Sequence, residues 1–441
     1  MLSSGKIGSW LKRILPVRQR EWSVLAWAFL WFFNLFTGYY TIRPVRETLA
    51  TQHLGKELVA NLFWAVLVAM LLITPINSAL ASRLRRQQLM PLVYIFSSVV
   101  FLGFWLLLSW WDETKVSAAL FFVWVSTFNY FVVSLFWSFM ADTFSSEQGR
   151  RLFGLIASGA TFGGLVGSFL TGAIMKFFPQ IGLADLCFVP CLTLLLCIPC
   201  MRQLDRLGKR FVTVTQTVVT DKPMGGSTWD CFWGVLRSKY LAFICLAVML
   251  SKTCATLAYL QQLDLVHSLI QDERSQTSFF ASVNFWSQLV TVVLQTIVVG
   301  QVMRYFGVTS ALLLSPAIYM LGFLVWGLMP SMTVSLLAVF AVSFRALGYG
   351  IQVPSQEVLF TVASREDKYK AKNVIDTVIS RGADAMTGTF QNGMQKLGAG
   401  FLVISLSAVS VAVLWLSVSV MLGRQHVQLR RQTQDSDAAV S

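Results

Sequence analysis

The residues of this chain that could do chemistry are charges set inside long apolar runs. Arg43 and Arg46 follow Tyr39 and Tyr40 at the end of the first run, with Pro44 between them and Glu47 next. On a continuing helix, residues three apart share a face, so the two guanidiniums would stand side by side. Arginine stays charged and grips phosphate or carboxylate with two arms. Tyrosine rings stack on bases or sit at a membrane interface. A second reading ends the helix at Pro44 and makes these residues an interfacial anchor. Lys252 lies roughly 18 Å into another run and Arg381 roughly 15 Å into a third, at the helical rise per residue. Arg345 lies midway along a fourth.

A charge at the bilayer centre costs about 2.5–3.5 kcal/mol. A chain keeps one where it pairs, lines water or works. Acidic partners are at hand in Glu357, Asp376 and Asp384. Arg381 and Asp384 are three apart and can touch on one helix face. Asp376 is five from Arg381, a poor pairing distance, and so serves another helix, a loop, or Lys372 four residues before it. The structural alternative for each cation is an ion pair that pins two helices. The set of Tyr40, Arg43, Arg46, Glu47, Lys252, Arg345, Glu357, Asp376, Arg381 and Asp384 is net basic. Such a set predicts an anionic small-molecule ligand.

The elements that must position these residues are apolar helices. Of 441 residues, 55 % are hydrophobic and 13 % charged, about half the charge of an ordinary soluble domain. Mean hydropathy is +0.63. Twelve runs are long enough to span about 30 Å of hydrocarbon: roughly 22–42, 58–81, 89–110, 117–141, 152–175, 182–201, 240–263, 277–302, 308–328, 332–362, 372–395 and 399–422. Continuous runs of this length exclude an outer-membrane barrel, whose strands alternate over about ten residues. The expectation is an all-α polytopic membrane protein of twelve transmembrane helices.

The net charge of +14 does not mark a nucleic-acid binder, because the basic residues sit between apolar blocks. Every second loop is basic, which by the positive-inside rule puts both termini in the cytoplasm. The longest connection follows the sixth run. It divides the chain into a cytoplasmic segment 1–21, a six-helix half 22–201, a linker 202–239, a second half 240–422 and a tail 423–441, with 425–441 read as disordered. Two pseudo-symmetric halves around a midplane site are a transporter architecture. A faint echo of Tyr40-Thr41-Ile42-Arg43 in Tyr259-Leu260-Gln261-Gln262 agrees with it. The short loops point to a bacterial inner membrane, and a monomer is expected. The basic N-terminus is not a signal peptide, since the apolar run after it is too long and lacks a cleavage site.

Several other chemistries are excluded. Seven Cys fall mostly in or beside apolar segments, where unpaired thiols act as small hydrophobes. His53, His267 and His426 are the only histidines, and none lies at metal-ligand spacing from another. No phosphate-binding loop and no GxSxG occur. No enzyme, cofactor or metal is therefore expected. The fifth run is rich in small residues: Ser158, Gly159, Gly163, Gly164, Gly167, Ser168, Thr171 and Gly172. These let helix backbones approach closely in lipid. Asp142, at the end of the fourth run, has Arg150 and Arg151 as natural local partners.

Some stretches carry a family resemblance. Ser78-Ala79-Leu80-Ala81-Ser82-Arg83-Leu84-Arg85-Arg86 resembles a degraded major facilitator loop signature that keeps the basic cluster. Arg46-Glu47-Thr48-Leu49 after Arg43-Pro44 resembles the motif following the first helix of the nucleotide transporter family, the ATP/ADP translocases of intracellular bacteria and plastids. Gln356-Glu357-Val358-Leu359-Phe360-Thr361-Val362, followed by Tyr369 through Arg381, is similar to that family's Lys-Glu-x-x-Tyr block and its Ile-Asp-x-x-x-x-Arg helix. Phe136-Trp137 through Arg151-Leu152-Phe153-Gly154 is a third, weaker match. The sequence departs from the family at Gln356, where the family has Lys, at Ala141-Asp142, and at Tyr259 to Asp264. The resemblance implies a major-facilitator-like fold and nucleotide exchange or import. It marks Arg46, Glu357, Asp376 and Arg381 as the family's charged positions. A permease or exporter for a drug, siderophore or peptide is the alternative, and the 15 Trp and 34 Phe would suit apolar cargo.

Overall fold

In the computed structural model, residues 18, 21–83, 86–110, 115–144, 146–212, 238–329, 331–360 and 375–440 are described. Their secondary structure is helical throughout. The α-helices are α1 Trp22–Leu49, α2 Gly55–Arg83, α3 Arg86–Trp110, α4 Lys115–Thr143, α5 Ser146–Phe177, α6 Phe188–Val212, α7 Lys239–Leu269, α8 Glu273–Val293, α9 Val299–Leu328, α10 Val334–Leu347, α11 Val353–Leu359, α12 Ser380–Lys396 and α13 Phe401–Val440. Wider π turns interrupt the sequence at Ala50–Leu54, Leu294–Val298, Gly348–Gln352 and Ile375–Ile379.

Among the described residues, nine stretches are long and apolar enough to cross a membrane. Two are of double length, Trp22–Ile73 with 52 residues and Glu273–Leu328 with 56. A straight 52-residue helix would run about 78 Å, more than twice the hydrocarbon thickness. Neither runs straight. The first breaks at Gly55, with φ 67° and ψ 165°, and the second at Gly307, with φ 82° and ψ 169°. Only glycine adopts such angles without strain. The spanning faces stay apolar on the outside: Phe96, Val99, Phe169, Leu192 and Leu321 are all exposed, as hydrocarbon surroundings require.

Two sequence expectations are corrected here. The first helix does not end near residue 42. It runs through Pro44 to Leu49, and Arg43 and Arg46 lie on it. The tail read as disordered is helical to Val440, because its Gln, Arg, Leu and Ala residues are good helix formers although polar. Arg151 pairs with Glu21 across 130 positions of sequence. Arg83, Asp142 and Arg150 have side chains outside the described set.

The chain forms two compact units. One comprises Met1–Arg46, Ile73–Ser117 and Trp124–Asp221. Its core is aromatic. Trp31 donates through Nε1 to the Tyr94 hydroxyl at 2.9 Å and meets Phe136 and Phe139 edge-on. Phe32 stacks on Phe136 with ring centres 4.1 Å apart. The glycines of α5 bring it against the backbone of α1. A Cβ on Gly159 would stand 2.7 Å from the Phe29 carbonyl oxygen, and one on Gly163 or Gly167 would overlap the carbonyl of Phe33 or Thr37. One turn on, the Thr171 hydroxyl donates to the Thr41 carbonyl at 3.1 Å. The partners advance together, so α1 and α5 are parallel. Helices α3 and α6 are antiparallel, with Ser98 beside Cys191 and Trp105 donating to Asp185.

The other unit comprises Glu47–Leu72, Ala118–Val123 and Lys222–Ser441. Tyr319 stacks on Phe344 at 4.5 Å and donates to its carbonyl at 3.0 Å, with Phe323, Trp326 and Trp415 around them. Gly327 lies against Ser405 and Gly423 against Thr309, so α9 and α13 are antiparallel. The start of α2 pairs with α7 through Lys56 and Asp264. Thr48 shares a hydrogen bond with Thr277 at 2.8 Å, and His53 lies 3.5 Å from Glu273. The six described cysteines are free and buried.

Candidate functional site

In the first unit, α1 carries Tyr40, Arg43 and Arg46. Pro44 has no N–H and removes one bond from the helix ladder, yet the helix continues. The Arg43 guanidinium stands 5.6 Å from the centre of the Tyr40 ring, within cation–π range. Arg46 is 9 % exposed and donates through Nη1 to the Ser126 hydroxyl of α4 at 3.1 Å. The structure thus keeps both arginines on one helix, among aromatic and hydroxyl neighbours. Glu47, the next residue, is fully buried and belongs to the second unit.

In the second unit, Arg345 sits in the last turn of α10, ahead of the π turn Gly348–Gln352. Its Nη1 donates to Asn284 Oδ1 of α8 at 2.7 Å, and its Nη2 to Gln262 Oε1 of α7 at 3.3 Å. Arg381, in the first turn of α12, donates to Asp384 Oδ2 at 3.1 Å. That is the three-residue pairing expected from the sequence. The Thr256 hydroxyl of α7 donates to the other oxygen, Asp384 Oδ1, at 2.7 Å. Thr253 and Thr387 extend the polar contact between α7 and α12.

The remaining candidates are placed less closely. Lys252 is exposed on α7. Glu357 is half-buried on α11. Asp376 lies in the π turn Ile375–Ile379, and its side chain is outside the described residues, as are Lys368, Lys370 and Lys372. Among the described residues, no group of His, Cys, Asp or Glu could hold a metal ion.

Several polar residues were not marked by the sequence reading. Gln262, Asn284, Thr256 and Ser126 carry no formal charge, so a search for costly charges passes over them. Their signal is a polar side chain well inside an apolar run, such as Asn284 in the middle of α8. Gln352, in the π turn after Arg345, is another: it is 4 % exposed, and neither end of its amide makes a hydrogen bond. Outside the spans, Asp272 caps α8 by accepting from the Ser275 N–H at 2.8 Å. Hydrogen bonds from Ser275 hold its carboxyl below the usual carboxylate range.

No protein-family model matches this chain. Among solved structures, it is similar to a bacterial homologue of the iron transporter ferroportin in an inward-facing state, with a TM-score of 0.64, 13 % identity, and 91 % of this chain and 98 % of that one covered. A bacterial homologue of the human lysosomal transporter Spinster gives a TM-score of 0.61 at 14 % identity, covering 94 % and 99 %. The nucleoside transporter NupG gives 0.57 at 11 %, covering 93 % and 99 %. The chain shares its fold with these three proteins. In sequence, the chain is 20 % identical to ADP,ATP carrier protein 1 of Chlamydia trachomatis over 95 % of its own length and 91 % of that protein's. It is 21 % identical to the carrier of the same name from Chlamydia muridarum, over the same shares. The family resemblance read from short motifs therefore extends along nearly the whole chain. All of these relatives are carriers or transporters by name.

Proposed function

We propose that this chain is a secondary active transporter that moves an anionic metabolite by alternating access, and that the metabolite is a nucleotide, exchanged in the manner of ATP for ADP. The observation that carries this reading is the chain-long likeness to two ADP,ATP carriers. It coincides with Arg46, buried on α1, and Arg381, on α12, both at positions the motifs mark. Arg43, Arg46, Arg345 and Arg381 bind the anion, with Lys252 adding charge and Tyr40 an aromatic face. Glu357 and Asp376 add carboxylates to this set, and Glu47 and Asp384 balance charge. No cofactor or metal takes part, and neither nucleic acid nor a partner protein is needed.

Twelve spans belong to this proposal. The glycine breaks at Gly55 and Gly307 split the two double-length stretches, and α12 with its preceding π turn supplies the polar eleventh crossing. Parallel α1 and α5, and antiparallel α3 with α6 and α9 with α13, agree with strict alternation across a membrane. The halves are 22–201 and 240–422, joined by the linker 202–239. The ends 1–21 and 423–441 are cytoplasmic, the protein is a monomer, and the membrane is a bacterial inner membrane.

A second reading, a permease or exporter for another small molecule such as a drug, siderophore or peptide, is favoured by Gln356, which stands where the family has Lys. Uptake of labelled ADP into proteoliposomes, with and without internal ATP, separates the two. Uptake stimulated by internal ATP and lost in Arg46→Ala supports nucleotide exchange. Folded protein that takes up no ADP under either condition removes the nucleotide and leaves the second reading.

A further inference from the structure

The hydrogen bonds of Arg345 fix the orientation of two neutral side chains. A guanidinium only donates, so the amide ends of Asn284 and Gln262 that face it are their oxygens. Their nitrogens are therefore not bonded to Arg345. Asn284 is 1 % exposed and Gln262 4 %. Neither Asn284 Nδ2 nor Gln262 Nε2 makes a hydrogen bond. Burying primary amide donors without acceptors is costly, and two of them flank one cation. All three side chains come from different helices, α7, α8 and α10, and all lie within one unit.

We propose that Arg345, Gln262 and Asn284 form an oxyanion subsite, in which the two amide N–H groups and the guanidinium donate to phosphate or carboxylate oxygens of the substrate. The proposal rests on the anionic-metabolite reading and adds to it the groups that recognise the oxygens. Every group on offer is a donor, so an acceptor-only ligand fits and a neutral donor such as an amine does not. Arg345 brings a positive charge, and the two amides beside it are neutral. The subsite reads the positions of oxygens while holding the ligand less tightly than a cluster of cations would, and a transported ligand has to leave. If the amides served only to brace Arg345 between helices, a carboxylate in their place would brace it better.

That difference supplies the test. Purified protein in detergent is titrated with ADP, AMP, inorganic phosphate, citrate and adenosine, and binding is read by the shift in thermal unfolding. The proteins compared are wild type, Asn284→Asp, Gln262→Glu and Asn284→Ala. The expected result is that anions bind wild type, that the Asp and Glu variants lose at least tenfold in affinity while melting at or above the ligand-free wild-type temperature, and that Asn284→Ala also weakens binding. Response to ADP and phosphate names a phosphate ligand, and response to citrate alone names a carboxylate. Anion binding by wild type that persists in both carboxylate variants, or that is lost in Asn284→Asp but intact in Asn284→Ala, overturns the subsite and leaves the anionic reading standing. A wild type that responds to adenosine alone, or to none of the five, overturns both.

Discussion

Glu21 holds Arg151 with both carboxylate oxygens, at 2.9 Å from Nη2 and 3.2 Å from Nη1. The pair ties the segment entering α1 to the start of α5. Glu21 is 4 % exposed, and its Oε2 also accepts the Arg18 backbone N–H at 2.9 Å. Burial pushes its carboxyl up, but the hydrogen bonds from Arg151, Arg18 and Gln148 outweigh burial and hold it below the usual carboxylate value. A lowered folded pKa gives stability that is complete above the unfolded pKa and fades as pH falls through the folded one. Wild type should therefore lose melting temperature as pH drops below the ordinary carboxylate range. Glu21→Gln should cost about 1–3 kcal/mol at neutral pH and flatten that acid limb. Melting curves between pH 7 and pH 3 check this, and an unchanged acid limb in the variant refutes it.

Packing between α1 and α5 gives a second prediction. A methyl on Gly163 has no space beside the Phe33 carbonyl, so Gly163→Ala should destabilise by about 1–3 kcal/mol, the usual cost of overpacking. Gly154, on the same helix, has nothing within 4 Å of its would-be Cβ. Gly154→Ala should be neutral or stabilising by about 0.5–1 kcal/mol. Equal melting temperatures for the two variants would show that α5 does not depend on this seam.

Lysine at position 345 keeps the charge and loses the two-armed geometry that reaches α7 and α8 together. Arg345→Lys should lose about tenfold or more in anion uptake, since hydrogen bonds to a charged group are worth about 1.5–3 kcal/mol. The loss should appear in KM if Arg345 binds the substrate at rest. Uptake kinetics equal to wild type would reduce Arg345 to a point charge.

The Arg381–Asp384 pair is partly open, with side chains 37 % and 14 % exposed. Exposed pairs of this spacing contribute about 0.3–0.5 kcal/mol. A double-mutant cycle with Arg381→Gln and Asp384→Asn should give a stability coupling below about 1 kcal/mol. Uptake should fall far more than stability in Arg381→Gln. A strong stability coupling with normal uptake would make the pair a structural pin.

Much of the fold could be read from the chain because lipid imposes a simple rule, and long apolar runs became helices close to where they were expected. The misreadings have identifiable physical sources. Pro44 suggested a helix end, yet a single missing N–H does not stop a helix that its neighbours support. Glu21 lies 130 positions from Arg151, so no pattern of local spacing marks that pair. Arg345 and Arg381 stood out by formal charge, while Gln262 and Asn284 stayed hidden because neutral amides cost less in a helix and give a weaker signal. One hint did exist: the echo between the two halves aligns Gln262 with Arg43.

The contacts between α1 and α5 recur at a constant offset, with Gly159, Gly163, Gly167 and Thr171 meeting Phe29, Phe33, Thr37 and Thr41. Four residues of helix rise about 6 Å, so the seam is a ruler with 6 Å graduations. Each glycine socket of α5 takes one carbonyl of α1, so a shift by half a graduation would set side chains against those carbonyls. The seam accordingly holds these two helices to one alignment at four successive points.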